Sequence, residues 1–302
     1  MKSEYKYTII IPHYNIPKLL RRCLMSIPVR EDLQVIVVDD KSSEDNIKKL
    51  KQLEREFVHV DFLYSSANGG GGKARNTGLL YAKGEYVLFA DSDDFFNYCI
   101  HDILEEYKDE KCDVVFFNAN RVDTDTYLST KRSSTLKRAL KLYEKEGNLD
   151  AFRFVFGEPW CKLVRRQIIV DNGILFDELP IHNDTKYSYL VGFHARNVKF
   201  DTRALYCLTD RPGSVSKDLS AKKLLIRTKV FAEKNRFLKD HGIPFFDDLM
   251  ISPFLKCAKR KDIKLFKECL GICIEHGFST SFVIKKLISP IFRFKFYHKF
   301  SK

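Results

Sequence analysis

Asp91-Ser92-Asp93-Asp94 closes an apolar run, Tyr86–Ala90, and sets two or three carboxylates in one short loop. Carboxylate oxygens with open coordination positions suit Mg2+ or Mn2+, hard cations that keep water and take phosphate oxygens as further ligands. Read alone, the loop is more simply a solvated acidic turn at the start of a helix over Asn97–Tyr107, where aspartate is common, and it is the other two strand ends that change the weighting. Two further apolar runs also end in polar residues. Leu33–Val38 is followed by Asp39-Asp40, and Tyr7–Pro12 runs into His13-Tyr14-Asn15. A fourth feature, Asn68-Gly-Gly-Gly-Gly-Lys73, looks like a phosphate loop. It lacks the leading glycine and the Ser or Thr after the lysine that a Walker loop needs. Gly69-x-Gly71-x-x-Ala74 matches the dinucleotide fingerprint but does not follow the first strand, where that fingerprint belongs. The glycines are expected to free the backbone ahead of a helix, with Lys73 and Arg75 near an anion.

These residues need a frame that brings them together. Short β-branched runs at 7–12, 33–38, 58–64, 86–90 and 113–117 read as buried strands. Helical spacing fills the intervals at 17–27, 47–56 and 73–82. Strand and helix alternating about every 25 residues predicts an α/β, doubly wound, mainly parallel sheet. Ligands of such sheets sit outside the carboxyl ends of the strands, which is where the polar clusters fall. After about residue 120 the alternation weakens. Residues 221–302 read as helical hairpins broken at Gly242–Pro244, Pro253, Gly277 and Pro290.

Charge divides the 302-residue chain. Residues 1–216 are neutral, whereas 217–302 carry 20 Lys and Arg against 8 Asp and Glu, the whole of the +12 net charge. A domain of 1–216, divided at about residue 120 into halves of about 1–120 and 121–216, is therefore expected to hold the chemistry. The basic region 217–302 is expected to face something acidic. No apolar run approaches the roughly 18 residues of a spanning helix, and no signal-peptide pattern opens the chain. A cytoplasmic protein, peripheral on the membrane at most, is expected. The eight cysteines form no Cys-x-x-Cys, and Cys269, Cys273 and His276 share the spacing of a helix face, so core packing rather than zinc is expected of them.

Thr8–Asn15, Cys23–Ile27, Val35–Asp45, Asn68–Leu79, Gly84–Asp94, Trp160–Arg165, Asn183-Asp184 and Arg211–Ser216 together resemble the family 2 glycosyltransferases, in the family order and across roughly residues 7–216. The resemblance implies a GT-A fold and an inverting transfer from a nucleotide-diphosphate sugar, UDP-linked in the commonest case, assisted by Mn2+ or Mg2+. It implies that Pro12, Tyr14, Asp40, Arg75, Asp91 and Ser92 bind the donor and that Asp93 ligates the metal. Asp184 falls at the place of the catalytic base, and Trp160 and Lys162 at the acceptor wall. Two departures stand out. Asn183 replaces the glutamate many relatives carry before the base, and the Gln-x-x-Arg-Trp pattern of processive synthases is absent, so one sugar is added per encounter. Asn183 and Thr185 are suited to cap a helix running to Val191, a role Asp184 could also fill.

The implied acceptor is a glycan or a lipid-linked carrier in cell-surface polysaccharide or lipopolysaccharide synthesis. Two other functions compete. A nucleotidyltransferase-like enzyme is disfavoured by Pro12–Asn15, since its glycine-rich loop follows the first strand. A nucleic-acid-binding protein would use the basic region, but no recognition motif is present and no nucleic acid is expected. The end of the chain, 285–302, mixes lysines and arginines with aromatics and lacks acidic residues, a composition suited to an anionic membrane surface.

Overall fold

β1 (Tyr5–His13), β2 (Leu33–Asp39), β3 (Val60–Tyr64) and β4 (Gly84–Phe89) lie side by side as parallel neighbours in the order β3-β2-β1-β4. The computed structural model describes residues 5–130, 134–211 and 220–289. β1 and β2 are buried along nearly their whole length, which is why their sequences are apolar without alternation. The crossovers are α1 (Pro17–Met25), α2 (Glu44–Glu56) and α3 (Gly70–Tyr81).

Beyond β4 the expected parallel pattern changes. β5 (Phe95–Phe96) is a two-residue strand, and α4 (Ile100–Glu106) follows it. β6 (Val114–Asp123) does not join β4. Four residues, β7 (Lys162–Arg165), enter antiparallel between them, and β8 (Val198–Asp210) flanks β6 in parallel. The finished order is β3-β2-β1-β4-β7-β6-β8-β5, a mixed sheet of eight strands. α5 (Thr135–Glu146), α6 (Asp150–Phe154), α7 (Arg166–Asp171) and α8 (Thr185–His194) complete this part.

The chain divides into two units, Met1–Ser214 and Val215–Lys302. The second is helical, with α9 (Ala221–Asp240), α10 (Ser252–Arg260), α11 (Ile263–Glu275) and α12 (Thr280–Ile288). Leu224, Phe231, Met250, Phe254, Cys269, Cys273 and Val283 form its core, so the two cysteines pack as expected. Pro253 lies in the first turn of α10 and starts a helix rather than breaking one. Among the described residues no helix is long and apolar enough to cross a membrane. The segment 290–302, which holds most of the expected membrane-facing tail, lies outside the described residues.

Candidate active site

The carboxyl ends of β1 and β2 are joined by a buried cluster. His13 Nδ1 lies 2.9 Å from Asp39 Oδ1, and His13 Nε2 accepts from the Ile16 amide at 3.1 Å, so the proton sits on Nδ1. Ser42 Oγ donates to Asp39 Oδ1 and its amide donates to Oδ2. Burial raises the Asp39 carboxyl, but these donors from His13 and Ser42 outweigh it and hold the group below its ordinary range. Serine, histidine and aspartate meet here without forming a nucleophilic triad, because both partners point at the carboxylate and the free imidazole nitrogen is closed by backbone. The cluster instead sets the backbone at Pro12–Asn15, from which Tyr14 projects half-exposed into solvent.

Asp40 turns to the glycine run. Its Oδ1 and Oδ2 accept from the amides of Gly69 and Gly70, each at 2.7 Å, and its side chain is buried. Asp40 therefore stabilises the start of α3, where unpaired amides and the helix dipole favour a carboxylate. This also corrects the reading of the glycine run. Gly70, Gly71 and Gly72 belong to the first turn of α3, and only Gly70, at φ +82°, uses glycine's left-handed freedom.

From the second turn of α3, Arg75 reaches across the site. Nη2 donates to Asp91 Oδ1 at 2.6 Å and Nη1 to Asn183 Oδ1 at 3.1 Å, with the guanidinium over the Phe176 ring. Asp91 thus supplies Arg75 with an anion of the chain itself. Burial raises the Asp91 carboxyl, opposed by Arg75 and reinforced by Asp93. The Asp91–Asp94 loop is a tight turn, closed by the Asp94 amide on the Asp91 carbonyl at 3.0 Å. It does not cap α4, which starts six residues later. Buried Asp94 accepts from the Thr209 amide, and Ser92 is buried as well. Arg22 and Thr209 both donate to the Asp93 carbonyl, and the Asp91 amide donates to Tyr206 Oη at 2.7 Å.

Asp184 stands at the start of α8, at the end of a turn that α3 holds. Asn76 exchanges two hydrogen bonds with the Phe176 backbone, at 2.8 and 2.9 Å. A Cβ on Gly72 would come within 2.1 Å of the Asp177 carbonyl oxygen, so only glycine lets α3 approach this turn. Neither Asp184 nor Asn183 caps α8 with its side chain. The Asp184 carboxyl is pushed up to about 6, chiefly by burial, with Arg75 opposing and Glu158 and Asp91 adding to the rise. A carboxylate poised near neutrality and not spent on capping is suited to accept a proton.

Trp160 and Lys162 lie under the site rather than on its wall. Trp160 is 4% exposed and stacks on Tyr206, and Lys162 is 1% exposed and donates to the Phe156 carbonyl at 2.8 Å. Their expected acceptor contacts are therefore replaced by a bracing role, since Tyr206 in turn bonds the Asp91 amide. No local pattern in the sequence marks Arg22, Gly72, Asn76 or Tyr206 as part of the site. Gly72 and Asn76 lie inside the Asn68–Leu79 segment, but only the distant turn at 176–184 gives them a task.

Among the described residues no three His, Cys, Asp or Glu side chains are grouped to hold a metal by protein atoms alone. The Asp91–Asp93 pair fits a different kind of ion. Asp93 gives Oδ2 to Arg211 Nε at 2.7 Å, and its Oδ1 has no hydrogen-bond partner among the described residues. One carboxylate oxygen at a strand end suits Mg2+ or Mn2+ whose remaining ligands are phosphate and water.

Comparison with known proteins extends the geometry. The family model for Glycosyl transferase family 2 matches residues 8–173. Over 95 residues the chain is 40% identical to a poly(ribitol-phosphate) beta-glucosyltransferase of Bacillus spizizenii, covering 30% of this chain but only 15% of that protein. It is 27% identical over 263 residues to the uncharacterised glycosyltransferase YibD of Escherichia coli K12, covering 84% of this chain and 76% of that one. The structure of Staphylococcus aureus TarS 1–349 in complex with UDP-GlcNAc aligns with a TM-score of 0.65 at 21% identity, over 90% of this chain and 81% of the TarS 1–349 chain. Mannosyltransferase PcManGT of Pyrobaculum calidifontis, in complex with GDP-Man and Mn2+, aligns at 0.55 and 14% identity, over 99% and 84%. The structural likenesses are likenesses of fold, and they are to GT-A glycosyltransferases.

Proposed function

The chain belongs to glycosyl transferase family 2, and from that premise we propose that it transfers one sugar from a nucleotide-diphosphate sugar to a hydroxyl of a glycan or lipid-linked acceptor. The observation that carries this reading is the position of Arg75, which touches the donor-side aspartate Asp91 and the acceptor-side turn that ends in Asp184. Pro12 and Tyr14 at the end of β1 hold the nucleotide, which we take to be uridine diphosphate. Relatives and neighbours whose names carry UDP-GlcNAc and poly(ribitol-phosphate) support that donor and an acceptor in cell-surface polymer synthesis.

Asp184 removes the proton of the acceptor hydroxyl as its oxygen attacks the anomeric carbon. The bond from that carbon to the diphosphate oxygen breaks, and its electron pair leaves with the nucleotide diphosphate. One base and no protein nucleophile make a single displacement, hence inversion. Asp93 is the protein ligand for Mn2+ or Mg2+, and the ion when bound neutralises charge on the leaving diphosphate. Arg75 and the Asp40-held start of α3 fix the donor rim. Residues 1–216 carry the reaction, and the basic 217–302 brings the protein to an anionic membrane surface on the cytoplasmic face. The test is product analysis by mass spectrometry after incubation with a panel of UDP- and GDP-sugars, Mn2+ and short hydroxyl acceptors. Formation of a singly glycosylated product with release of the matching nucleotide diphosphate supports the reading. Donor hydrolysis or transfer with none of the panel overturns it.

A further inference from the structure

Asn183 uses both ends of its amide. Oδ1 accepts from Arg75 Nη1 at 3.1 Å, and Nδ2 donates to the Leu179 carbonyl at 3.2 Å. Its backbone carbonyl accepts from the Asp177 amide at 3.0 Å, so residue 183 closes the turn on itself and ties it to Arg75. A carboxylate could keep the first contact but could not donate to Leu179. The amide is therefore matched to its two neighbours, and it supplies an acceptor for Arg75 without placing a second negative charge beside Asp184.

We propose that Asn183 is a positioning residue for the base Asp184, coupling it through Arg75 to the donor-side aspartate Asp91. This rests on the reading of Asp184 as the base. The charged groups facing Asp184 are Arg75, Glu158 and Asp91. Glu158 is engaged at the start of α5, where Thr135 donates to it from both its amide and its hydroxyl. Arg75 is thus the one cation of the three, and the contact that Asn183 makes with it keeps that charge beside the turn. A carboxylate at 183 would draw the guanidinium into an ion pair of its own and repel the ionised form of Asp184.

Three variants test the inference with steady-state kinetics across pH 5 to 9. Asn183→Asp is expected to move the acid limb of kcat upward by about half a pH unit or more, with turnover recovering at alkaline pH and donor KM within about twofold. Asn183→Ala is expected to lower kcat about tenfold across the whole range at similar donor KM, since the turn loses its link to Arg75. A purely structural role would lower Tm in both variants and leave the pH profile where it was, and that result overturns the inference. Asp184→Asn separates the two readings. If it abolishes turnover while both Asn183 variants keep the parent kcat and acid limb, the inference alone fails. If Asp184→Asn retains turnover, the base assignment fails and the inference falls with it.

Discussion

Arg211 Nε donates to Asp93 Oδ2 at 2.7 Å, so the carboxylate proposed to hold the metal is already neutralised by a cation of the chain. A divalent ion must share that carboxylate or displace the arginine. Arg211→Gln should therefore lower the Mn2+ concentration needed for half-maximal binding several-fold in the absence of donor, as read by electron paramagnetic resonance of free Mn2+. Asp93→Asn should abolish both metal-dependent donor binding and transfer. Full turnover in excess EDTA would remove the metal from the mechanism.

The pH dependence of Asp184 has a definite sign. The base works ionised, so kcat should fall tenfold per unit below about pH 6 and level off above it. The same group in an unfolded chain titrates near its ordinary 3.8, so the folded protein binds this proton more tightly than the unfolded one. Ionising it therefore costs stability, and the cost grows between about pH 4 and pH 6 and is constant above. Asp184→Asn should melt at a higher temperature than the parent at pH 8 and at the same temperature near pH 4, while losing at least a hundredfold in turnover. Equal melting temperatures at both pH values would mean that the carboxyl is not held in an unfavourable setting.

Gly72 offers a test by steric insertion. A methyl group there would meet the Asp177 carbonyl oxygen at 2.1 Å and Asn183 Cβ at 3.1 Å. The backbone oxygen has little room to yield, so Gly72→Ala should destabilise by roughly 1–3 kcal/mol and shift the turn that carries Asp184. Turnover should drop at least tenfold, with nucleotide affinity within a few-fold of the parent, because the Asp40 contacts are made by the Gly69 and Gly70 amides and not by residue 72. Isothermal titration with UDP beside initial-rate measurements distinguishes the two effects. Unchanged turnover would show that the close approach of α3 is not needed.

What could be read from the sequence follows the range of the interactions. β1, β2 and β4 are continuous apolar runs with polar ends, and their parallel order follows from the helices between them. β7 has four residues and owes its place to partners on both sides, so no local pattern marks it as the antiparallel divider of the sheet. The same holds in the site. Asp91, Asp93, Arg75 and Asp184 were legible because their segments resemble a family, but residue type alone did not separate a side chain that faces the cleft from one beneath it. Trp160 and Lys162 show the difference. Their motif was plain, and their burial is decided by Phe156 and Tyr206, which are remote from each other in sequence. Nor does the segment around Asp40 announce that the amides of Gly69 and Gly70, some thirty residues on, take its carboxylate once α3 begins.

The proposed membrane contact can be tested without damaging the second unit, provided the cut is placed correctly. In α12, Val283 is buried and Leu287 packs against the same core, and the Lys286 ammonium lies 4.2 Å from the Phe246 ring centroid. Truncation at 285 would remove the Lys286 and Leu287 contacts and cut α12 short, whereas truncation after Ser289 spares the helix. Residues 290–302 still hold four lysines and arginines, five aromatics and no acidic residue. At about 1 kcal/mol per cation near an anionic surface, four cations are worth roughly a thousandfold in partitioning, and the effect decays with salt. Deleting 290–302 should therefore cut co-sedimentation with phosphatidylserine vesicles more than tenfold at low ionic strength and leave transfer to a water-soluble acceptor unchanged. Raising the salt to about 0.5 M should release the full chain in the same way, because the Debye length then falls well below 10 Å. If the full chain does not sediment with such vesicles at low salt, the basic end has no membrane role.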